Sequence, residues 1–285
     1  MQLKLSDKYF YGKILLFGEY SIILGSKALS VPYRKVKGKL TFTDLQIESD
    51  KSSNQSIRKL FNYIGENGLK QYFQIHKFSD YLDEGLIFDS NIPQGYGVGS
   101  SGALVAALYN EFGNPEKQLN NLDLKNLFGK IESFFHGKSS GLDPFLCYTN
   151  QPVLINQDKS IEILEDIDIE NIDNIKIELI DSETTGKTEP LVNLFLEKCQ
   201  EPIFKKAIET ELIKNTNLAI EYFLNYQLND FQRALNIITL VEFAYFQEMI
   251  PDIIKEIWKS SLDTDNIYIK LCGSGGGGYF LKFEF

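Results

Sequence analysis

A short glycine-rich connection carries two adjacent serines just before a helix-forming run. Residues 93–103 read PQGYGVGSSGA and continue into LVAALYNEF. A glycine loop that opens directly into a helix presents free backbone N–H groups at the positive end of the helix dipole, and this arrangement favours an anion such as phosphate. The hydroxyl groups of Ser100 and Ser101 could bind a phosphate oxygen or a metal ion. A sharp turn without any ligand is the alternative explanation.

The Walker pattern does not account for this loop. That pattern requires a Gly-Lys pair, and none follows Gly95. The later tripeptide GKT at residues 186–188 follows a predicted strand, but the first glycine of the pattern falls on Asp181. Neither segment is therefore a Walker loop.

Two other patterns fit the loop only in part. Gly97, Gly99 and Gly102 match G-x-G-x-x-G, but a dinucleotide-binding fold needs a second strand that ends in an acidic residue, and two helices are predicted instead. The hydrolase pattern G-x-S-x-G, centred on Ser101, ends on Ala103. A phosphate bound here would need its cation and its metal ligands from other segments.

Two further segments carry such groups. In ESFFHGKSSGLD, Glu132 and His136 lie one turn apart on one face of a predicted helix, and Asp143 follows a Ser-Ser-Gly turn. Near the N-terminus, Lys13 and Glu19 stand at either end of ILLFG. Taken singly, these residues are typical of a helix cap, a solvated turn or a lysine beside a strand. Taken together, they supply the cation and the oxygen ligands that magnesium-nucleotide chemistry requires.

Four segments in this order resemble the GHMP kinases and, within them, the mevalonate kinases. They are GKILLFGEYSIILG, PQGYGVGSSGALVAAL, ESFFHGKSSGLD and KLCGSGGGG, and they span almost the whole chain. The two glycine loops are typical of the superfamily, and the segment that contains Glu132 and Asp143 points to mevalonate kinases. DSETTGKT, at residues 181–188, resembles the strand and turn that open the second lobe of that family.

The resemblance implies a two-lobed α+β fold. Residues 1–172 would form an N-terminal lobe like ribosomal S5 domain 2, which carries the ATP-binding glycine loop. Residues 173–285 would form a ferredoxin-like C-terminal lobe. ATP would lie across the glycine loop, between the lobes.

The resemblance also implies roles for individual residues. Asp143 would orient or deprotonate the acceptor hydroxyl, and Lys13 would stabilise the developing charge. Glu132 and one loop serine, Ser101 in preference to Ser100, would hold Mg²⁺. The residues that would bind the nucleotide are Pro93, Gly95, Gly97, Gly99, Ser100, Ser101, Gly102 and Gly275. Those that would bind the substrate are Glu19, His136, Gly137, Ser140 and Thr188.

The function that follows is an ATP-dependent kinase that phosphorylates an alcohol, with mevalonate as the expected acceptor. Three departures from the family leave phosphomevalonate or a small sugar open. Tyr20 stands where mevalonate kinases usually carry histidine, Ser139 stands where they carry proline, and the run LNIITLVEFAYF contains no histidine. A nucleotide-binding sensor without catalysis is a second hypothesis, and a serine hydrolase that uses Ser101, His136 and Asp143 is a third.

Composition restricts the partners. The formal net charge of −10 argues against extended nucleic-acid binding, which needs a basic surface. No run approaches the roughly 18 apolar residues of a membrane helix, so no membrane partner is expected. Three widely separated cysteines predict neither a disulfide framework nor a zinc site, and they favour the cytoplasm. Both a monomer and a homodimer remain open.

Strands are predicted to precede most of the helices. Apolar runs near the N-terminus predict strands and turns, KGKLTFTDLQIE at residues 37–48 predicts a strand pair, and GLIFDSN predicts another strand. The predicted helices are 54–74, 103–112, 122–135, 189–200 and 203–224, with one more before Pro251 and one more after it. PVLIN and NIKIELID are predicted strands, and the chain ends as strand, glycine loop and strand.

Overall fold

The computed structural model describes residues 3–165, 167–169, 171–186 and 188–285, with the side chains of all of these except His136 and Thr188. The strands are β1 (Phe10–Phe17), β2 (Ala28–Phe42), β3 (Leu86–Ser90), β4 (Val153–Ile155), β5 (Ile161–Ile163), β6 (Lys176–Asp181), β7 (Ile267–Leu271) and β8 (Tyr279–Glu284).

The α-helices are distributed along the whole chain. They are α1 (Glu48–Glu66), α2 (Ile75–Asp83), α3 (Ser100–Phe112), α4 (Asn121–His136), α5 (Leu142–Thr149), α6 (Thr188–Lys198), α7 (Pro202–Ala207), α8 (Ile213–Leu224), α9 (Leu228–Tyr245) and α10 (Asp252–Ser261). A π-helical turn, Ile208–Leu212, joins α7 to α8, so that the predicted helix over 203–224 is continuous.

Contacts divide the chain into two compact units that alternate along the sequence. The first unit comprises Met1–Lys13, Pro32–Pro93 and Gly99–Asn150. The second comprises Ile14–Val31, Gln94–Val98 and Gln151–Phe285. The predicted boundary at residue 172 stays a prediction.

The first unit is built around α3. This helix is rich in alanine and leucine, and most of its side chains are buried. It contacts α5 and α4, and the ring of Phe112 at its end stacks on Phe78 of α2 with 4.3 Å between ring centroids. The β3 strand pairs antiparallel with the last part of β2, from Gly38 to Phe42. The loop that precedes α3 therefore joins β3 to a helix fixed on several sides.

The second unit contains an antiparallel sheet in the order β6-β8-β7. In β8, Phe280, Leu281 and Phe283 are buried, and α9 and α10 pack against β7. In α10, Ile254 and Trp258 are buried at helical spacing. In the same unit, the start of β2 pairs with β4, which pairs with β5. The terminal glycine loop, residues 273–278, connects β7 to β8, which pair with each other.

The strands and helices agree with most of the predicted elements, with three differences. The segment KGKLTFTDLQIE is a strand only as far as Phe42, and the helix α1 already begins at Glu48, so the predicted strand pair is wrong. The predicted helix 54–74 ends at Glu66. The elements α2, α5 and β5 were not predicted. Among the described residues, no helix combines the length and the hydropathy that a membrane crossing requires.

Candidate active site

The loop before α3 needs its glycines for backbone geometry. Gly95, Gly97 and Gly99 have φ angles of 78°, 72° and 81°, in the left-handed region that other residues rarely adopt. At Gly99 there is also no room for a side chain, because a Cβ would lie 2.8 Å from Cγ of Lys13. The helix α3 begins at the next residue, Ser100. The loop therefore brings the N-terminus of α3 directly against Lys13.

Lys13 forms an ion pair with Asp143. Lys13 lies in β1, Asp143 lies in the first turn of α5, and Nζ of the lysine is 3.0 Å from Oδ2 of the aspartate. The lysine side chain is 9% exposed and that of Asp143 is 35% exposed. The ammonium group is therefore buried, while the carboxylate that it contacts stays accessible to a small molecule.

Glu132 lies buried on α4 and accepts hydrogen bonds from two serines. The hydroxyl of Ser101 donates to its Oε1 at 3.0 Å, and the hydroxyl of Ser139 donates to its Oε2 at 2.5 Å. Burial, and then the negative charge of Asp143, raise the pKa of Glu132 to about 7. Both serine hydrogen bonds and the charge of Lys13 act in the opposite direction. Two carboxyl groups and one ammonium group thus form one electrostatic cluster in the first unit.

Small residues allow the three helices that carry this cluster to approach closely. A Cβ at Gly102 of α3 would lie 2.9 Å from the backbone of Asp143. A Cβ at Gly141, just before α5, would lie 2.5 Å from the backbone nitrogen of Gly129 in α4. The glycines in GSSG and SSGLD therefore set the spacing of Ser101, Glu132 and Asp143.

Cys147 contacts the glycine loop, and this contact was not predicted from the sequence. It lies one turn after Asp143 on α5, and its Sγ is 3.9 Å from the carbonyl oxygen of Gly99. The thiol is buried, and burial raises its pKa. Because α5 was not predicted, the sequence offered no signal for this contact.

A second set of predicted residues lies in the second unit. The backbone N–H of Gly186 donates to the carbonyl of Gly95 at 3.3 Å. A Cβ at Gly278 would lie 2.7 Å from the carbonyl oxygen of Tyr96, and one at Gly277 would lie 2.5 Å from the nitrogen of Gly186. Residues 94–98, the turn at 182–186 and the terminal glycine loop, 273–278, therefore contact one another.

Glu19 is buried in this second unit, with 3% of its surface exposed. Its Oε1 accepts a hydrogen bond from Nζ of Lys270 at 2.6 Å. The predicted contact of Glu19 with substrate stays a prediction, and the ion pair with Lys270 was not anticipated. The available signal was a lysine inside the otherwise apolar strand β7.

The predicted site residues thus divide between the two units. Those in the first unit are Lys13, Pro93, Gly99, Ser100, Ser101, Gly102, Glu132, Gly137, Ser140 and Asp143. Those in the second unit are Glu19, Gly95, Gly97 and Gly275. The side chains of two predicted substrate-binding residues, His136 and Thr188, lie outside the described part of the structure. Gly137 ends α4, and Oγ of Ser140 accepts a hydrogen bond from the backbone N–H of Leu142 at 3.3 Å.

The oxygen atoms of Glu132 and Ser101 suit a magnesium ion. Among the described residues, no three His, Cys, Asp or Glu side chains lie together as a complete metal site. Magnesium bound with a nucleotide usually takes only one or two carboxylates from the protein, the remaining ligands being phosphates and water. Hard oxygen donors 3.0 Å apart fit that pattern.

A segment that lies mostly in the first unit matches a known domain family. Residues 55–151 match the family described as "GHMP kinases N terminal domain". The matched segment contains the glycine loop, Glu132 and Asp143. This match confirms the predicted resemblance to the GHMP kinases and supports the predicted class of small-molecule kinase.

Solved structures extend the likeness to the whole chain. A mevalonate kinase from L. major in complex with R-mevalonate has a TM-score of 0.64 and 17% identity, over 98% of this chain and 87% of that one. A phosphomevalonate kinase from Streptococcus pneumoniae in complex with phosphomevalonate and AMPPNP has a TM-score of 0.61 and 15% identity, over 98% and 92%. A galactokinase from Lactococcus lactis in complex with galactose has a TM-score of 0.65 and 14% identity, over 97% and 85%.

The predicted α+β fold of the GHMP kinases is thereby confirmed. At these identities the likeness establishes the fold alone. No curated protein sequence matches the chain.

Proposed function

We propose that this protein is an ATP- and Mg²⁺-dependent kinase that transfers the γ-phosphoryl group of ATP to an alcohol, with mevalonate as the acceptor. The observation that carries the proposal is the ion pair between Lys13 and Asp143 at 3.0 Å. It lies beside the first turn of α3, where Ser101 donates to Glu132 at 3.0 Å. A base, a cation and a pair of metal ligands thus lie together at the end of a glycine loop.

The roles follow from the chemistry of phosphoryl transfer, which depends on positioning and on charge stabilisation. Asp143 orients the acceptor hydroxyl and accepts its proton. Lys13 fixes the Asp143 carboxylate and stabilises the negative charge that develops during transfer. The backbone of residues 95–102 and the N-terminus of α3 bind the phosphate groups of the nucleotide.

Glu132 and Ser101 are the proposed ligands of Mg²⁺. The ion, when bound, neutralises phosphate charge. Because a carboxyl group must lose its proton before it binds a metal, the ion and the proton compete for Glu132.

Replacing Glu132 with glutamine should raise the Mg²⁺ concentration for half-maximal rate by about tenfold or more, because an amide is a weaker ligand than a carboxylate. In the unaltered protein this concentration should fall as the pH rises through 7, the region to which the pKa of Glu132 is raised. In Glu132→Gln that pH dependence should disappear. The measurement is the initial rate against free Mg²⁺ between about pH 6 and about pH 8.

Glu111→Gln is the matched control, because Glu111 is a buried carboxylate of the same unit that pairs with Lys77. It should keep both the Mg²⁺ requirement and its pH dependence. An unaltered Mg²⁺ requirement in Glu132→Gln would remove Glu132 from the metal site.

Mevalonate is proposed as the acceptor because ESFFHGKSSGLD resembles the mevalonate kinase form of the superfamily. A structural relative in complex with R-mevalonate is consistent with this choice. Relatives in complex with phosphomevalonate and with galactose keep those two acceptors as alternatives, together with the departures at Tyr20 and Ser139.

The test is ADP release by the purified protein with MgATP and, separately, mevalonate, phosphomevalonate and galactose. Turnover with mevalonate is the expected result, and a serine-directed phosphonate should leave it unaffected. Turnover with only one of the other acceptors would support kinase activity but would replace mevalonate as the proposed acceptor. Nucleotide binding without ADP release from any acceptor would favour a sensor.

A further inference from the structure

Three ionisable side chains are buried together where β7 ends and the terminal glycine loop begins. Glu19, Glu242 and Lys270 are 3%, 1% and 1% exposed. Nζ of Lys270 donates to Oε1 of Glu19 and to the carbonyl oxygen of Leu271, both at 2.6 Å. Oε2 of Glu242, from α9, accepts from the backbone N–H of Leu271 at 2.7 Å. The roles proposed above leave Glu242 and Lys270 without a function.

These contacts, together with two more, fix the backbone at the end of β7 and at the first residues of the loop. Leu271 has both its N–H and its carbonyl bound by buried side chains. The backbone N–H of Gly273 also interacts with the Glu19 carboxylate and lowers its pKa, against the larger effect of burial. The hydroxyl of Tyr20 donates to the carbonyl of Ser274 at 2.5 Å.

The loop depends on such external contacts because its own sequence cannot hold a single conformation. Gly273 and the four glycines Gly275–Gly278 all have positive φ angles. Glycine loses more conformational entropy on ordering than any other residue. Further along, the N–H groups of Gly276 and Gly278 each donate to a backbone carbonyl at 2.6 Å. The side-chain contacts therefore lie at the start of the loop, and backbone contacts hold the rest.

Burial favours the protonated form of Glu242. Two buried carboxyl groups, Glu19 and Glu242, both interact with the charge of Lys270. Burial is the largest cause that raises the pKa of Glu242 to about 8. The charge of Glu19 acts in the same direction, and the charge of Lys270 acts against it. Burial raises the pKa of the nearby Tyr20 hydroxyl, and the negative charge of Glu242 adds to this effect. A protonated Glu242 still offers an oxygen acceptor to the Leu271 N–H, and glutamine can imitate this neutral group.

We propose that Glu242, Lys270 and Tyr20 are positioning residues that hold the terminal glycine loop in the conformation that binds the nucleotide. This inference rests on the proposed function, in which Gly275 belongs to the nucleotide site. None of the three residues needs to touch the nucleotide. They restrict the loop before the nucleotide binds, so that less conformational entropy is lost on binding.

The test compares two substitutions at Glu242 with a control on the same helix. Glu242→Leu leaves the Leu271 N–H without a partner and should weaken MgADP binding by about tenfold, with faster hydrogen exchange of residues 271–278. Glu242→Gln keeps an acceptor for this N–H, so its MgADP affinity and its hydrogen exchange should match those of the unaltered protein. Thr239→Val is the control, because it removes a buried hydrogen bond of 2.9 Å from α9 to Ile269 of the same strand without touching the loop. It should lower stability but leave MgADP binding unchanged.

Tyr20→Phe provides a gentler second variant in case Glu242→Leu does not fold. It removes the contact to Ser274 but keeps the ring that packs against Phe195 and Phe246, and it should weaken MgADP binding by about fivefold. Calorimetry with MgADP and exchange measured by mass spectrometry give the two readouts.

The outcomes separate this inference from the proposed function. If the unaltered protein does not bind MgADP, the proposed function and the inference both fail. If it binds, but Glu242→Leu and Tyr20→Phe bind equally well, the inference alone is overturned. An equal loss of affinity in Thr239→Val would also overturn it, because a general loss of stability would then explain the effect.

Discussion

Replacing Asp143 with asparagine should lower turnover by about 10²- to 10⁴-fold, the contribution of a positioned acid–base group. Asparagine has almost the same shape and can still contact Lys13, from which the carboxylate lies 3.0 Å away. It cannot accept a proton from the acceptor hydroxyl. Binding of MgADP should survive, because Asp143 belongs to the proposed acceptor side of the reaction. Steady-state ADP release and calorimetry measure the two effects.

The same substitution should lower the pKa of Glu132. The charge of Asp143 is one of the two causes that raise this pKa to about 7, and asparagine removes that charge. A pH titration of labelled glutamate by NMR in the absence of metal would follow the change. Glu111→Gln should alter neither turnover nor the titration of Glu132. Full activity in Asp143→Asn would contradict the assignment of Asp143 as the base.

The glycine loop and its helix could be predicted because their signals are local. Alternating glycines marked the positions where φ is positive, and the apolar run marked the helix. The helix begins at Ser100 rather than at the predicted Ala103. Gly99 adopts the left-handed conformation, so the helix can start at the next residue without a longer turn.

The helix that carries Asp143 could not be predicted in the same way. It spans only eight residues, Leu142–Thr149, and has Pro144 in its first turn. Its stability comes from buried side chains such as Phe145 and Leu146, and from packing against α3 and α4. For α1 a local signal was present, since Glu48 and Asp50 place negative charge in its first turn.

The site itself was predicted through the resemblance of separate segments. Periodicity alone could not bring Lys13, Glu132 and Asp143 together. The hydrogen bond from Ser139 to Glu132 was not predicted, because Ser139 entered only as a departure from the family.

The buried network of Glu19, Glu242 and Lys270 was harder to predict from the sequence than the candidate site. Glu19 and Lys270 are 251 positions apart, and no local pattern connects such residues. The one usable signal was a charged residue inside an apolar run, as in LVEFAYF for Glu242 and IYIKLC for Lys270. Charged residues are rarely buried unless they are paired, so each of these positions predicted a partner without identifying it.

Replacing Lys13 with methionine should lower turnover by about 10²- to 10³-fold, the usual effect of losing one preorganised electrostatic partner. Methionine keeps much of the length of a side chain that is 9% exposed, so the change removes mainly the ammonium group. Two carboxyl groups, Asp143 and Glu132, then lie near each other without a cation. The positive charge of Lys13 lowers the pKa of Glu132, so this pKa should rise above 7 in the variant.

The opposite movement of the Glu132 pKa in Lys13→Met and in Asp143→Asn tests the cluster as an electrostatic unit. A general loosening of the fold would expose Glu132 and lower its pKa in both variants, because burial is the largest cause of its elevation. Lys77→Met is the matched control: it removes the cation from an ion pair of 2.7 Å with Glu111, whose side chain is 8% exposed. That control should cost stability but leave turnover and the Glu132 titration unchanged. A fall in the Glu132 pKa in Lys13→Met would contradict the arrangement described for the site.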